Sequence, residues 1–203
     1  EIKDYLPTPI VKSILKLYED KTTLKGVEGK ESEYRNAKEQ LNSVSGMCGT
    51  SPMKPRYTYI DYKWDKVIPD VDERIDDYNN SKFRFISYNW YVWNTAYARY
   101  HLIQAILAMG NDYIYCDTDC VKYKNPDEHE EFFIKYNENV RKKLAKAMEF
   151  HNLPMSMCEP KTIKGTTKLL GAFEKEATYK RFKFLGQKRY IVEMDDAIKI
   201  DGK

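Results

Sequence analysis

Tyr113-Ile114-Tyr115-Cys116-Asp117-Thr118-Asp119-Cys120-Val121 sets two carboxylates one residue apart inside a run of apolar and aromatic strand formers. A run of this kind that breaks at Asp-Thr-Asp predicts a strand, a tight turn and a return strand. Alternation along such a hairpin puts Asp117 and Asp119 toward one side and Cys116, Thr118 and Cys120 toward the other. Ionised carboxylates crowded at a turn repel each other, and a cation between them relieves the repulsion. Oxygen ligands of this type suit Mg²⁺, a hard cation that keeps waters and binds phosphates through one or two carboxylates. The chemistry to consider is therefore phosphoryl transfer, although the same three residues also describe a solvated Asx-type turn.

Two further stretches carry charge in a pattern that phosphates would use. In Lys38-Glu39-Gln40-Leu41-Asn42-Ser43-Val44-Ser45-Gly46, helical spacing puts Arg35, Lys38, Asn42 and Ser45 on one stripe. Tyr34, Ala37, Leu41 and Val44 form the neighbouring apolar stripe. A face with two cations and an amide can hold a triphosphate, and it equally describes a solvated helix face. In Tyr179-Lys180-Arg181-Phe182-Lys183-Phe184-Leu185-Gly186-Gln187-Lys188-Arg189-Tyr190, basic and aromatic residues alternate across a predicted hairpin. Lys188 and Tyr190 fall on one face, as a phosphate backbone beside a stacking partner requires, and Lys180 and Arg181 add positive charge. The same pattern fits an amphipathic hairpin with a wet basic side.

The elements that must position these groups are legible in outline. Thr8-Pro9 predicts a capped helix start, with an apolar stripe carrying the helix over about 9–20. A turn with two glycines follows at 25–30, then a helix from Ser32 to about Ser45 that ends in 46–55. Tyr57, Tyr59 and Trp64 suggest an exposed hairpin, with Asn79-Asn80 as a turn, and the run from Asn89 to Met109 reads as a buried helix. Phe132, Tyr136, Val140, Leu144 and Met148 repeat every four residues in a helix from Asp127 to about Phe150. Three strand-like runs come next, near 169–176, 179–185 and 188–194. This order predicts an α+β fold with a largely antiparallel sheet.

Composition bounds the function classes. A net charge of +3 on 203 residues is small, so any nucleic-acid contact has to come from local clustering. Cys48, Cys116, Cys120 and Cys158 form no CxxC pair, and no His stands at zinc-finger spacing, so free thiols in a reducing compartment are expected. No apolar run reaches about 18 residues and no signal segment opens the chain, so a soluble cytoplasmic protein with no membrane partner is expected. The chain starts at Glu1 without Met and stops at Asp201-Gly202-Lys203, just after a strand-like run, and is expected to be cut from something longer.

Taken in order, Lys38-x3-Asn42-Ser43-x2-Gly46, Tyr115-x-Asp117-Thr118-Asp119 and Lys188-Arg189-Tyr190 resemble the B, C and KxY motifs of family B DNA polymerases. Asn94-Thr95-Ala96-Tyr97-Ala98-Arg99-Tyr100 and Leu185-Gly186-Gln187-Lys188-Arg189-Tyr190-Ile191 look most like the protein-primed branch of bacteriophages and linear plasmids. The resemblance covers about Val11 to Glu193. It implies fingers helices with motif B at 1–55, a hairpin-like insertion for strand displacement at 56–88, and a C-terminal palm with motif C and the KxY hairpin at 89–203. It also implies that Asp119 ligates Mg²⁺ with Asp117 in support, that Lys38, Asn42 and, by looser alignment, Lys25 serve the incoming deoxynucleoside triphosphate, and that Lys188 and Tyr190 hold the primer terminus. The implied partners are a DNA template-primer, the triphosphates and a terminal priming protein.

Three departures qualify what the resemblance implies. Ser45 stands where the family usually has Tyr before the motif B glycine, which removes an aromatic surface expected beside the nascent base pair. Cys120 replaces the usual Ser. The family's other metal-binding Asp, on an upstream strand before a Leu-Tyr-Pro signature, has no counterpart before Lys38; Asp4-Tyr5-Leu6-Pro7 lies too close to Lys38 and lacks an apolar strand before it. The chain alone is therefore expected not to polymerise. A non-catalytic nucleic-acid-binding module derived from a polymerase stays open as an alternative, and so does another two-metal phosphotransferase such as a nuclease, against which the Lys38-Asn42 helix argues.

Overall fold

The computed structural model describes residues 5–51, 53–68, 70–82, 88–195 and 197–201. Asp4, and 83–87 of the hairpin-like insertion, lie outside the described residues. In chain order the elements are α1 Thr8–Thr23, α2 Glu31–Cys48, β1 Arg56–Ile60, β2 Lys63–Val67, α3 Val71–Asn80, α4 Tyr88–Met109, β3 Tyr113–Asp117, β4 Cys120–Tyr123, α5 Glu130–Phe150, β5 Arg181–Gly186, β6 Arg189–Glu193 and β7 Ile198–Asp201. The fold is α+β, as expected, and every strand pairing among the described residues is antiparallel. Three separate sheets form, ordered β1-β2, β3-β4 and β5-β6-β7. The chain divides into a larger unit, 1–38 with 97–203, and a smaller one, 39–96.

The core of the larger unit grows from the four-residue apolar repeat of α5. Met148 packs with Leu15 of α1 and with Cys158, all three buried, and Val11, Leu144, Leu153 and Leu170 close around them. Pro7 precedes the first turn of α1, and Thr8 lies inside the helix instead of capping it. The Thr8 hydroxyl instead meets Nδ1 of the buried His151 at 2.9 Å, tying the start of α1 to the end of α5. Gly26 and Gly29, at φ of 78° and 77°, take the left-handed turn between α1 and α2 that side chains with a Cβ resist.

The run at 169–176 is not a strand. Gly171 turns the chain at a φ of 75°, and the Phe173 amide donates to Asn137 Oδ1 while Asn137 Nδ2 donates to the Phe173 carbonyl, both at 2.9 Å. A side chain of α5 thus satisfies the backbone groups that a neighbouring strand would have used. Phe173 packs its ring against Phe133 and Tyr136 of the same helix.

In the smaller unit β1 and β2 form the expected exposed hairpin, with Tyr59 opposite Trp64 and their rings 5.1 Å apart. Its turn residues, Asp61 and Tyr62, both have positive φ, the type I′ pattern that matches the twist of the flanking strands. Asn79-Asn80 is not a turn but the last two residues of α3, whose start is capped by Asp70 accepting from the amides of Asp72 and Glu73. Two contacts join the end of α2 to the start of α4. Asn94 Nδ2 donates to Ser45 Oγ at 2.7 Å, and a methyl group on Gly49 would lie 2.7 Å from the Tyr91 ring.

The helix expected from Asn89 to Met109 forms as α4, but it is not buried: only Ala105 and Met109 are. Val92, Trp93, Tyr100, Ile103 and Leu107 are exposed. Apolar composition on most sides of a helix predicts burial only if enough partner surface surrounds it, and the described residues supply it at one end.

Leu15→Ala removes a side chain that is only 3% exposed from this core. The expected loss is about 2–5 kcal/mol in urea unfolding, whereas a loss below about 1 kcal/mol would show that α1 does not anchor α5.

Candidate functional site

The Asp-x-Asp segment forms the predicted hairpin: Asp117 ends β3, Cys120 starts β4 and pairs with Asp117, and Thr118-Asp119 is the turn between them. The alternation expected to put both carboxylates on one side does not apply, because Asp119 belongs to the turn and not to a strand. Thr118 sits at a φ of 51°, a left-handed conformation unusual for a β-branched residue. The Asp119 amide donates to the Asp117 carbonyl at 2.6 Å, and the Thr118 hydroxyl donates to Asp117 Oδ1 at 2.9 Å. Asp117 is half-buried and Asp119 is exposed. Cys120 is half-buried; burial pushes its thiol up, which keeps it protonated and a poor ligand for a hard cation.

The base of this hairpin is fixed from α5's end of the unit. Asp112 accepts from Asn125 Nδ2 at 3.1 Å through Oδ1, and its Oδ2 lies 2.9 Å from His129 Nε2. The Lys124 amide donates to the Asp112 carbonyl, closing the loop across the hairpin's two ends. Tyr123 stacks on Phe133 of α5 at 5.4 Å. The His129 hydrogen bond holds the Asp112 carboxyl below its ordinary value.

The upper part of the hairpin meets the β5–β6 hairpin through Tyr115. Its ring, buried in β3, lies 5.8, 5.2 and 5.7 Å from the rings of Phe182, Phe184 and Tyr190. The register of β5 with β6 puts Phe182 opposite Val192 and Phe184 opposite Tyr190, so these side chains share the face turned to Tyr115. The Tyr115 hydroxyl accepts the Lys188 backbone N–H at 3.1 Å. Lys188 is the second residue of the Gln187-Lys188 turn and has a φ of 58°, so Tyr115 steadies a residue in a strained conformation.

From that turn, Lys188 Nζ reaches Asp117 Oδ1 at 3.4 Å. The two sequence motifs farthest along the chain are thereby joined: the ammonium of one is the counter-ion of the carboxylate of the other. With side-chain exposures of 61% and 27%, the pair contributes less than about 1 kcal/mol to stability. Its weight lies in placing a cation beside the carboxylate turn. Tyr190 is oriented by stacking on Phe182 at 5.3 Å.

The remaining candidates fall elsewhere. Lys180 pairs with Asp195 at 2.9 Å and Arg181 with Glu193 at 3.6 Å, so both are partly neutralised on their own hairpin. Lys38 and Asn42 lie exposed on α2 beside Arg35, one helical turn apart, while Ala37 and Cys48 are buried and Tyr34, Leu41 and Val44 half-buried on the other stripe. The two predicted stripes of that helix are therefore both present. Lys25 is exposed in the turn after α1. Among the described residues no contact joins Lys25 or Lys38 to the Asp117–Lys188 pair.

Lys122 was not singled out by sequence. It sits opposite Tyr115 on β4, with its Nζ 4.8 Å from the centre of the Tyr179 ring, 5.2 Å from that of Tyr190 and 3.4 Å from the Tyr179 hydroxyl. Only the strand register, which single-sequence reading does not supply, brings it under the second hairpin.

The donor set at the turn suits Mg²⁺ as oxygen ligands, but as part of a site. Among the described residues no group of three His, Cys, Asp or Glu side chains converges to hold a metal ion. The two hairpins together present exposed carboxylate oxygen, an ammonium and an aromatic ring, groups whose chemistry can meet a cation or a phosphate. No helix among the described residues is long and apolar enough to cross a membrane. No protein family, curated protein or solved structure matches the chain.

Two outcomes test this geometry. Tyr115→Phe keeps the ring and removes the acceptor of the Lys188 amide; the expected cost is about 1 kcal/mol in urea unfolding, and no change would show that the two turns are not coupled through this hydroxyl. Because the folded Asp112 carboxyl titrates below its ordinary value of 3.8, its stabilisation is complete above that value and fades as pH falls through the lower folded one. Asp112→Asn is therefore expected to lower the Tm near neutral pH and to match the unsubstituted chain at strongly acidic pH. A Tm gap that stays constant across that range would contradict the assignment.

Proposed function

We propose that the chain is the fingers and C-terminal palm portion of a protein-primed family B DNA polymerase, a template-directed nucleotidyltransferase. The observation that carries this reading is the 3.4 Å approach of Lys188 Nζ to Asp117 Oδ1, which unites the carboxylate turn with the KxY-like turn. The order of the three motifs and the exposed Lys38-Asn42 face of α2 give it independent support.

On this reading Asp119, with Asp117 beside it, would hold Mg²⁺ together with at least one further carboxylate that the described residues do not bring to this turn. Bound there, Mg²⁺ neutralises phosphate charge and activates the primer 3′-hydroxyl. The chain's own residues bind and orient. Lys188 offers a point charge to the primer strand, and Tyr190, held flat by Phe182, supports its terminal nucleotide. Lys38 and Asn42 present a cation and an amide to the triphosphate, with Lys25 as a second cation. Lys180 and Arg181 extend the basic edge along the DNA backbone once their carboxylate partners are displaced. The exposed β1–β2 hairpin corresponds to the insertion that serves strand displacement, and a priming protein would supply the first hydroxyl.

A second reading, a non-catalytic DNA-binding module, is favoured by the same ion pair seen differently. Asp117 already has a protein cation as its counter-ion, and Asp119 is exposed to solvent, so neither carboxylate requires a metal for charge balance. Primer extension separates the two. In a polypeptide that supplies the further carboxylate, Mg²⁺-dependent synthesis is expected, and Asp119→Ala is expected to reduce it by at least about 10³-fold, on the scale of losing a main charge-stabilising group. Lys38→Ala is expected chiefly to raise the KM for triphosphates. Synthesis unimpaired by Asp119→Ala would overturn the enzymatic reading.

A further inference from the structure

The three cations of the β5–β6 hairpin region considered so far each have a carboxylate: Lys188 has Asp117, Lys180 has Asp195 and Arg181 has Glu193. Lys122 differs. It is half-buried, and among the described residues it makes no ion pair. Its ammonium lies against the faces of Tyr179 and Tyr190 and within 3.4 Å of the Tyr179 hydroxyl. Two ring faces attract a cation and hold it in place without neutralising it. An ammonium has three donors, of which the Tyr179 hydroxyl takes one. The Tyr179 hydroxyl, having accepted from Lys122, retains its own proton to donate.

The location narrows what would complete this arrangement. Lys122 follows Asp119 by three residues on the return strand, and Tyr190 is the ring that the proposed reading sets under the primer terminus. A full cation beside a hydroxyl donor, between a carboxylate turn and a stacking ring, matches a phosphodiester one or two nucleotides from the reacting end. On the proposed reading a free triphosphate is served by Lys38 of α2 instead. We propose that Lys122, together with the Tyr179 hydroxyl, forms a contact for a backbone phosphate of the DNA strand whose end lies at Tyr190. Lys122 also positions Tyr190 through its ring contact, so DNA engagement and ring placement are coupled at one side chain. The inference rests on the polymerase reading.

The test uses residues 1–203 and a fluorescein-labelled primer–template duplex, with anisotropy followed as salt is varied. Each phosphate contact contributes about 0.9 to the slope of log affinity against log salt. Lys122→Met and Lys122→Gln are both expected to lower that slope by about 0.9, and to weaken binding roughly tenfold at low salt. Lys122→Arg is expected to restore the slope. Tyr179→Phe, which keeps the ring, is expected to weaken binding roughly threefold at an unchanged slope.

A role confined to holding the rings would weaken binding in Lys122→Met and Lys122→Gln without moving the slope. That result overturns the phosphate contact and leaves the polymerase reading standing. A substitution that leaves DNA binding intact but reduces the affinity for deoxyadenosine triphosphate assigns the cation to the nucleotide, and also overturns it. Absence of salt-dependent DNA binding by the unsubstituted chain overturns the contact together with the reading on which it rests.

Discussion

The candidate site depends on Tyr115 more than on any charged residue. One buried side chain performs three separate tasks: its ring fills the space between the β3–β4 and β5–β6 hairpins, its hydroxyl accepts the Lys188 amide, and its strand position faces Lys122 across the ladder. Among the described residues the two hairpins share no ladder of backbone hydrogen bonds, since they belong to separate sheets. Their alignment therefore rests on ring packing, on the Tyr115 hydrogen bond to a turn amide, and on the side-chain contacts of Lys188 with Asp117 and of Lys122 with Tyr179 and Tyr190. Aromatic pairs supply area and a preferred geometry without the obligatory pairing of a sheet. Tyr115 thereby keeps the Lys188 turn near Asp117.

Charges at this junction are arranged so that none is stranded. Asp117 receives a hydroxyl and an ammonium, Asp112 a histidine ring and an amide, and Lys122 two ring faces and a hydroxyl. Asp119 is the exception in position: it projects from the tip of the turn, exposed, where its charge is carried by water. A site that holds one carboxylate in a protein ion pair and leaves the other to solvent is ready to take a cation without first losing a buried partner.

What was legible in the sequence is what depends on local periodicity. The apolar repeat of α5, the two stripes of α2, the glycine turn at 25–30 and all three hairpins follow from spacing and turn chemistry within a dozen residues. What failed depended on partners distant in sequence. The 169–176 run has strand composition, yet Asn137 takes its backbone groups and Gly171 bends it. Asn79-Asn80 has turn composition, yet the cap at Asp70 starts a helix that runs through it. Thr8 could cap its own helix, but the ring of His151 outcompetes the amides. At the candidate site, Asp117, Asp119, Lys188 and Tyr190 were visible as motif residues, whereas Tyr115 as the hub and Lys122 as its cross-strand neighbour needed the register. The Ser45 departure acquires a structural meaning as well: its hydroxyl accepts from Asn94, so the position serves helix-to-helix contact where an aromatic surface was expected.

On the proposed reading the two turns form one surface receptive to cations and phosphates. Titration of the isotopically labelled chain with Mn²⁺, followed by paramagnetic broadening of backbone amides, tests this without reference to turnover. Amides of 117–120 and of 187–189 are expected to broaden together at the lowest Mn²⁺ concentrations, and Asp119→Asn is expected to abolish both effects at once. Broadening confined to 117–120, or appearing first at other carboxylates, would contradict it.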